Sequence, residues 1–175
     1  MAFGPALRYT TTPMRAFVAV GSNLGDRYAH LALAARLLRA VPGVAVVRGS
    51  RVTDNAPLGP PQPRYLNAVL ELETRLTPAA LLSALQAVEQ AALRRRGVRW
   101  GARSLDLDLL VHGVWQVETP SLTVPHLRLA ERRFVLAPLC ELAPDLVVPG
   151  LGRTAAALLE AAPAWDLRDA GPYPL

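Results

Sequence analysis

Apolar residues recur along this chain with two different periods, and each period identifies an element. From residue 65 to residue 73 the period is two. Leu66, Ala68, Leu70 and Leu72 share one face and Asn67, Val69, Glu71 and Glu73 the other, which predicts a strand. A helical period follows the turn Gly21-Ser22-Asn23-Leu24-Gly25-Asp26, where Leu31, Ala34, Leu38 and Val41 form one stripe that ends at Pro42-Gly43. Leu81, Leu85, Val88 and Ala92 predict a second helix, with Thr77 as N-cap and Pro78 in its first position, running on towards Arg94. Residues 15–20 and the β-branched run 44–52 read as strands. Residues 53–64, with four prolines and one glycine, read as a loop of restricted shape. Residues 104–111 predict another strand, turning at His112-Gly113 into a hairpin partner at 114–117. Stretches 129–142 and 154–162 read as helices. Strands that pair as hairpins, with helices following strands, predict an α+β domain whose sheet is antiparallel or mixed, nearest to the split βαβ arrangement.

A chain of 175 residues is long enough for one domain with a real core and short for two. Residues 14–175 are assigned to that domain and 1–13 to an N-terminal extension expected to be flexible. The extension mixes Gly, Pro, Arg and Thr without the apolar run of a signal peptide. Although 51% of the residues are hydrophobic, no uninterrupted stretch approaches the ~18 needed to span a bilayer. Cys140 is the single cysteine, so no internal disulfide is possible, and a cytoplasmic location is expected. All nineteen basic residues are Arg. Without Lys there is no P-loop, no protein-kinase strand Lys and no Schiff base. The formal net charge of +5 remains compatible with anionic ligands, because guanidinium forks bind phosphates well.

The densest chemistry lies in Arg99-Trp100-Gly101-Ala102-Arg103-Ser104-Leu105-Asp106-Leu107-Asp108-Leu109-Leu110. On a strand Asp106 and Asp108 point the same way, with Cα atoms roughly 6.5 to 7 Å apart, while Leu105, Leu107 and Leu109 point to the other side. Adjacent carboxylates repel unless a cation intervenes, and Mg²⁺ commonly binds to one or two carboxylates together with substrate phosphates. Alone, such a pair is more often the solvated face of an edge strand. Here Arg94, Arg95, Arg96, Arg99 and Arg103 crowd just upstream, interrupted by Gly97 and Gly101. A mobile basic loop beside a carboxylate pair supplies the positioning and charge neutralisation that phosphoryl-group transfer needs. It is expected to be mobile when empty and to close over its ligands.

Residues 99–110 resemble the signature of the 6-hydroxymethyl-7,8-dihydropterin pyrophosphokinase family, whose product serves folate synthesis. Further blocks are similar in order: Gly21-Ser22-Asn23-Leu24, then Pro57-Leu58-Gly59-Pro60 with Tyr65-Leu66-Asn67, then Thr123-Val124-Pro125-His126, and finally Arg132-Arg133-Phe134-Val135-Leu136. The resemblance covers about residues 14–149. It implies a ferredoxin-like α+β fold and a reaction without a covalent enzyme intermediate, in which the pterin hydroxyl attacks the β-phosphorus of ATP and AMP leaves. It also implies that Asp106 and Asp108 hold two Mg²⁺ ions on the triphosphate. Arg94 and Arg103 would stabilise charge during transfer, while Arg96 and Trp100 would help the loop close over the substrates, Trp100 next to ATP. Gln86, Glu89, Leu109, His126 and Arg132 would line the ATP site, and Asn55, Leu58, Tyr65, Asn67 and Phe134 would surround the pterin. Asn55-Ala56 departs from the expected Thr-Pro, Leu127 stands where some members carry Tyr, and the stretch 89–100 is one residue short.

The implied partners are ATP and the pterin, with no nucleic acid, membrane or obligatory protein partner. A basic RNA-binding domain is the reading from another class, but three Trp, four Tyr and three Phe leave no aromatic-rich strand to stack bases. A kinase that moves only the γ-phosphate is the nearer rival.

Overall fold

The computed structural model describes residues 9–92 and 104–175. In chain order the elements are β1 (Tyr9–Ser22), α1 (Arg27–Arg39), β2 (Val44–Gly49), β3 (Arg51–Asn55), β4 (Tyr65–Leu76), α2 (Pro78–Ala91) and β5 (Asp106–His112). There follow β6 (Val117–Thr119), β7 (Leu122–Val124), a 3₁₀ turn (Leu129–Glu131), α3 (Arg133–Leu142), β8 (Val147–Val148), β9 (Arg153–Thr154), α4 (Ala155–Ala161) and β10 (Leu167–Pro172). Six strands form the main sheet, in the order β10-β3-β4-β1-β5 with β2 also on β4, and every pairing is antiparallel. With β2 and β3 taken as one broken strand, that strand, β4, β1 and β5 with the crossover helices α1 and α2 make the ferredoxin-like split βαβ unit.

The sheet separates two apolar layers. Ala16, Val18 and Val20 of β1 and Leu66, Ala68, Leu70 and Leu72 of β4 face Leu31 and Leu38 of α1 and Leu81, Leu85 and Val88 of α2. Phe17, Val69, Leu110 and Val111 face the opposite way, against Leu136 and Leu139 of α3 and Leu158 of α4. Each such buried Leu or Val contributes roughly 1.5–3 kcal/mol of transfer free energy. The helix starts are capped as their sequences require. Asp26 Oδ1 accepts the Ala29 N–H at 3.0 Å, Thr77 Oγ1 that of Ala80 at 3.4 Å and Thr154 Oγ1 that of Ala157 at 3.1 Å.

The second layer also holds a charged group. Glu71, in the interior of β4, receives Arg15 Nε at 2.6 Å and Arg48 Nε at 2.7 Å on its two oxygens, and Arg48 Nη2 donates to Leu142 O at the end of α3 at 2.7 Å. Burial pushes the Glu71 carboxyl upwards, but the hydrogen bonds and charges of Arg15 and Arg48 outweigh it and hold it below its ordinary value.

Four expectations are corrected, and one strand is added. β1 begins at Tyr9, so residues 9–13, assigned to the extension, belong to the sheet, with Tyr9 opposite Leu76. The expected strand 44–52 is broken at Ser50, whose hydroxyl replaces a ladder partner by accepting the Val69 N–H at 3.0 Å; β3 then continues to Asn55, inside the expected loop. The hairpin between β5 and 114–117 does not form. The outer edge of β5 is already occupied, because Glu89 Oε1 accepts the Leu107 N–H at 2.8 Å and Leu110 O accepts the His126 N–H at 2.8 Å. Residues 117–119 pair instead with β7. The single helix expected over 129–142 is interrupted at Arg132, whose ψ of 88° is not helical. Finally, β10 adds an edge strand on β3 that its polar, Gly- and Pro-containing sequence does not announce. Among the described residues no helix is long and apolar enough to cross a membrane.

Candidate active site

Alternation along β5 buries Leu105, Leu107 and Leu109 in the layer under α2 and leaves Asp106 and Asp108 half-buried on the opposite face. That face belongs to the α3 side of the sheet. The backbone N–H of Leu107, between the two aspartates, is held by the buried carboxylate of Glu89, so α2 sets the position of the pair through the strand. Asp108 Oδ2 lies 3.4 Å from Arg132 Nη1 and 3.9 Å from His126 Nε2. The break before α3 places Arg132 there. Its Nε is buried without a hydrogen-bond acceptor among the described residues, which leaves donor capacity for an anion. His126 Nδ1 accepts the Arg128 N–H at 3.1 Å, so the neutral ring carries its proton on Nε2, towards Asp108. Burial is the main cause that lowers the His126 pKa; Asp108 and Asp106 pull it up while Arg132 and Arg128 oppose them.

A cleft of about 290 Å³ opens beside these groups, with Leu82, Leu109 and Leu122 as apolar walls and Asp108, Thr123 and His126 as polar ones. The turn between β6 and β7 forms one side of it. Thr119-Pro120-Ser121 between Val117 and Leu122 was the available sign of that hairpin.

The second half of the site is built on β4 and β3. Asn67 Nδ2 donates to Asn55 Oδ1 at 2.7 Å, and Asn55 Nδ2 donates to Ala56 O at 2.9 Å, so the two amides have fixed orientations. Tyr65 lies one pleat away on the same face as Asn67, and its hydroxyl donates to Gln62 Oε1 at 3.4 Å. The Pro-rich loop is held from the N-terminal block: buried Asn23 donates to Gln62 Oε1 and to Pro63 O, both at 3.0 Å. Phe134 at the start of α3 and Leu58 in the loop are half-buried.

Gly21 joins the two halves. It is opposite Asn67 across one edge of β1 and opposite Asp106 across the other. Cross-strand partners project to the same face, so Asn67 and Asp106 are aligned two strand spacings apart, about 10 Å, with no side chain between them. A Cβ on Gly21 would sit 2.7 Å from Asn67 Oδ1. Sequence reasoning quoted this glycine as part of a turn and missed that it clears the floor of the site.

Of the expected site residues, Asp106, Asp108, Leu109, His126 and Arg132 come together at one end, and Asn55, Tyr65 and Asn67 at the other. Gln86 is exposed on α2, and Glu89, expected at the ATP site, is turned inward onto Leu107. Arg94, Arg96, Trp100 and Arg103 lie outside the described residues, as do the expected continuation of α2 and the basic loop.

Residues 17–144 match the family model described as 7,8-dihydro-6-hydroxymethylpterin-pyrophosphokinase (HPPK). A 2-amino-4-hydroxy-6-hydroxymethyldihydropteridine pyrophosphokinase of Pseudomonas aeruginosa is 44% identical over 150 residues, covering 85% of this chain and 92% of that relative. A namesake from Synechocystis is 43% identical over 145 residues, covering 83% of this chain and 74% of its own. Among solved structures, an HPPK-DHPS in complex with substrates superposes with a TM-score of 0.68 at 10% identity over 86% of this chain, which spans 43% of that longer protein. The wild-type HPPK-DHPS of Plasmodium falciparum, with pterin and p-hydroxybenzoate, gives a TM-score of 0.67 at 13% identity over 85% of this chain and 43% of that one. The structural likeness concerns the fold, and the sequence likeness places the chain in a family: it belongs to the 7,8-dihydro-6-hydroxymethylpterin-pyrophosphokinases.

Proposed function

We propose that this chain transfers the pyrophosphoryl group of ATP to the hydroxymethyl group of 6-hydroxymethyl-7,8-dihydropterin, forming the pterin diphosphate and AMP. The observation that carries the reading is the row Asn67-Gly21-Asp106, which sets an amide suited to a heterocycle edge across an open floor from a carboxylate pair. The pterin is a flat ring edged with donors and acceptors. Asn67 and Asn55 match its edge, Tyr65 and Phe134 its faces, and Leu58 closes the rim. Adenosine fits the cleft walled by Leu82, Leu109 and Leu122.

Asp106 and Asp108 would hold Mg²⁺: they are two hard oxygen donors on one half-exposed strand face, the donor set this ion takes when phosphates complete its shell. Two ions are the proposed complement. Bound there, Mg²⁺ supplies neutralisation of the triphosphate charge. Arg132, through its buried Nε–H, and His126, through Nε2–H, donate to phosphate oxygens and orient the chain of phosphates along the row. The hydroxyl oxygen then forms its bond to the β-phosphorus and gives up its proton to solvent, while the bond from that phosphorus to the α,β-bridging oxygen breaks and AMP departs with the bridging oxygen. Arg94 and Arg103 are proposed to stabilise the charge that shifts to the leaving group, and Arg96 and Trp100 to shield the reactants from water.

The test is the identity of the nucleotide product when the protein is incubated with ATP, Mg²⁺ and the pterin. AMP in equal amount to pterin diphosphate is expected. ADP with a pterin monophosphate would make the protein a γ-phosphoryl kinase instead.

A further inference from the structure

The C-terminal segment reaches the pterin half of the site from outside the catalytic sheet residues. Trp165 lies between α4 and β10. Its Nε1–H donates to Ala56 O at 3.3 Å, the same carbonyl that receives Asn55 Nδ2 at 2.9 Å. Its ring meets Phe134 at a centroid distance of 5.8 Å and a tilt of 48°. One side chain therefore touches both the backbone next to Asn55 and the ring expected on the pterin face. The neighbouring residue completes the attachment: Asp166 Oδ2 receives Arg64 Nη1 at 2.6 Å, and Arg64 also pairs with Asp54 of β3. Ala56 and Arg64 are the two ends of the Pro-rich loop, so residues 165 and 166 clip that loop at both ends. β10 anchors the clip, with Leu167 opposite Asn55 and the Arg51–Asp169 pair beyond it.

We infer that Trp165 is a positioning residue for the pterin, fixing the Ala56 carbonyl and the Phe134 ring relative to each other; this rests on the pyrophosphokinase reading of the site. Tryptophan suits the task chemically. It joins a large apolar ring to a single N–H donor at the ring edge, so it can pack on one group and hydrogen-bond another. Ala56 lacks the fixed φ of the proline that follows it, and the two donors on its carbonyl restrain a backbone that would otherwise sample more states. Asn55 then presents its amide to Asn67 in one orientation. The clip acts on the pterin half, through Ala56, Phe134 and Arg64.

The experiment compares the full-length protein with Trp165→Phe and Trp165→Ala. Pterin affinity is read by fluorescence titration with 6-hydroxymethylpterin, KM for each substrate by AMP release, and folding by thermal unfolding. Trp165→Phe, which keeps a smaller aromatic ring and loses the donor, should weaken pterin binding about threefold, and Trp165→Ala about tenfold. The KM for ATP should stay within about twofold in both. Trp165→Phe serves as the decisive variant if Trp165→Ala unfolds. Equal pterin affinity in Trp165→Phe and the unaltered protein, or parallel losses for pterin and ATP, overturns the positioning role and leaves the pyrophosphokinase reading intact. An unaltered protein that binds no pterin overturns both.

Discussion

Replacing Gly21 by Ala tests the open floor directly. The added Cβ would stand 2.7 Å from Asn67 Oδ1 and 3.7 Å from Tyr65 Cδ1, so the amide, as the movable partner, must swing away by several tenths of an ångström. That motion breaks or stretches the 2.7 Å bond from Asn67 Nδ2 to Asn55 Oδ1, worth about 1 kcal/mol net. It also moves the amide from its contact with the pterin edge, a further ~0.5–1.5 kcal/mol. The lost Asn67–Asn55 bond is a cost to stability, so only the second term bears on binding: about 0.5–1.5 kcal/mol, roughly a 2- to 13-fold loss of pterin affinity. Stability should change little, because Ala in place of Gly in a strand recovers about 0.5–1 kcal/mol of backbone entropy. The assay is pterin titration and KM for both substrates, in Gly21→Ala, Asn67→Ala and the double variant. If the methyl acts through Asn67, Gly21→Ala should weaken pterin binding less than about twofold in the Asn67→Ala background. Pterin affinity within twofold of the unaltered protein in the single variant, or full additivity in the double, would refute the reasoning.

Asp106→Ala and Asp108→Ala should each lower kcat on the order of 10³-fold without shifting the thermal midpoint, since neither carboxylate supports the core; normal turnover in either removes the metal-binding role. Arg103→Ala should depress kcat with little change in either KM, as expected of a contact that strengthens while charge develops, and a pure KM effect would reassign it to ground-state binding. Glu71→Gln leaves Arg15 and Arg48 without their shared carboxylate and should cost about 2–3 kcal/mol, the guanidinium groups being half-exposed; the midpoint falls by roughly 4–12 °C with activity at 25 °C unaltered. Because the folded Glu71 carboxyl titrates below its ordinary value of 4.5, its contribution is complete above that pH and disappears as pH falls through the lower folded value. The gap between the two proteins should accordingly be full at pH 7 and narrow as the pH falls below 4.5, measured by thermal unfolding across that range.

Local rhythm alone was enough for α1, α2 and β4, because each carries a periodic apolar stripe and α2 has its capping residue, Thr77, at the expected place. The carboxylate pair was equally legible, since alternation on any strand puts Asp106 and Asp108 on one face. What lay beyond the sequence depends on partners distant along the chain. Whether β5 gains a hairpin partner was decided by Glu89 and His126, which satisfy its outer edge from other elements. The break at Arg132, which brings its guanidinium to Asp108, has no local signal such as Gly or Pro. β10 lacks a strand pattern altogether and is held by pairing with β3, by the Arg51–Asp169 ion pair and, just before it, by the pair of Asp166 with Arg64. Gly21 is the sharpest case: a glycine after a strand reads as turn chemistry. Its use as the gap between Asn67 and Asp106 exists only once β1 lies between β4 and β5, because side-chain clearance across strands is a property of register, and register is set by the whole sheet.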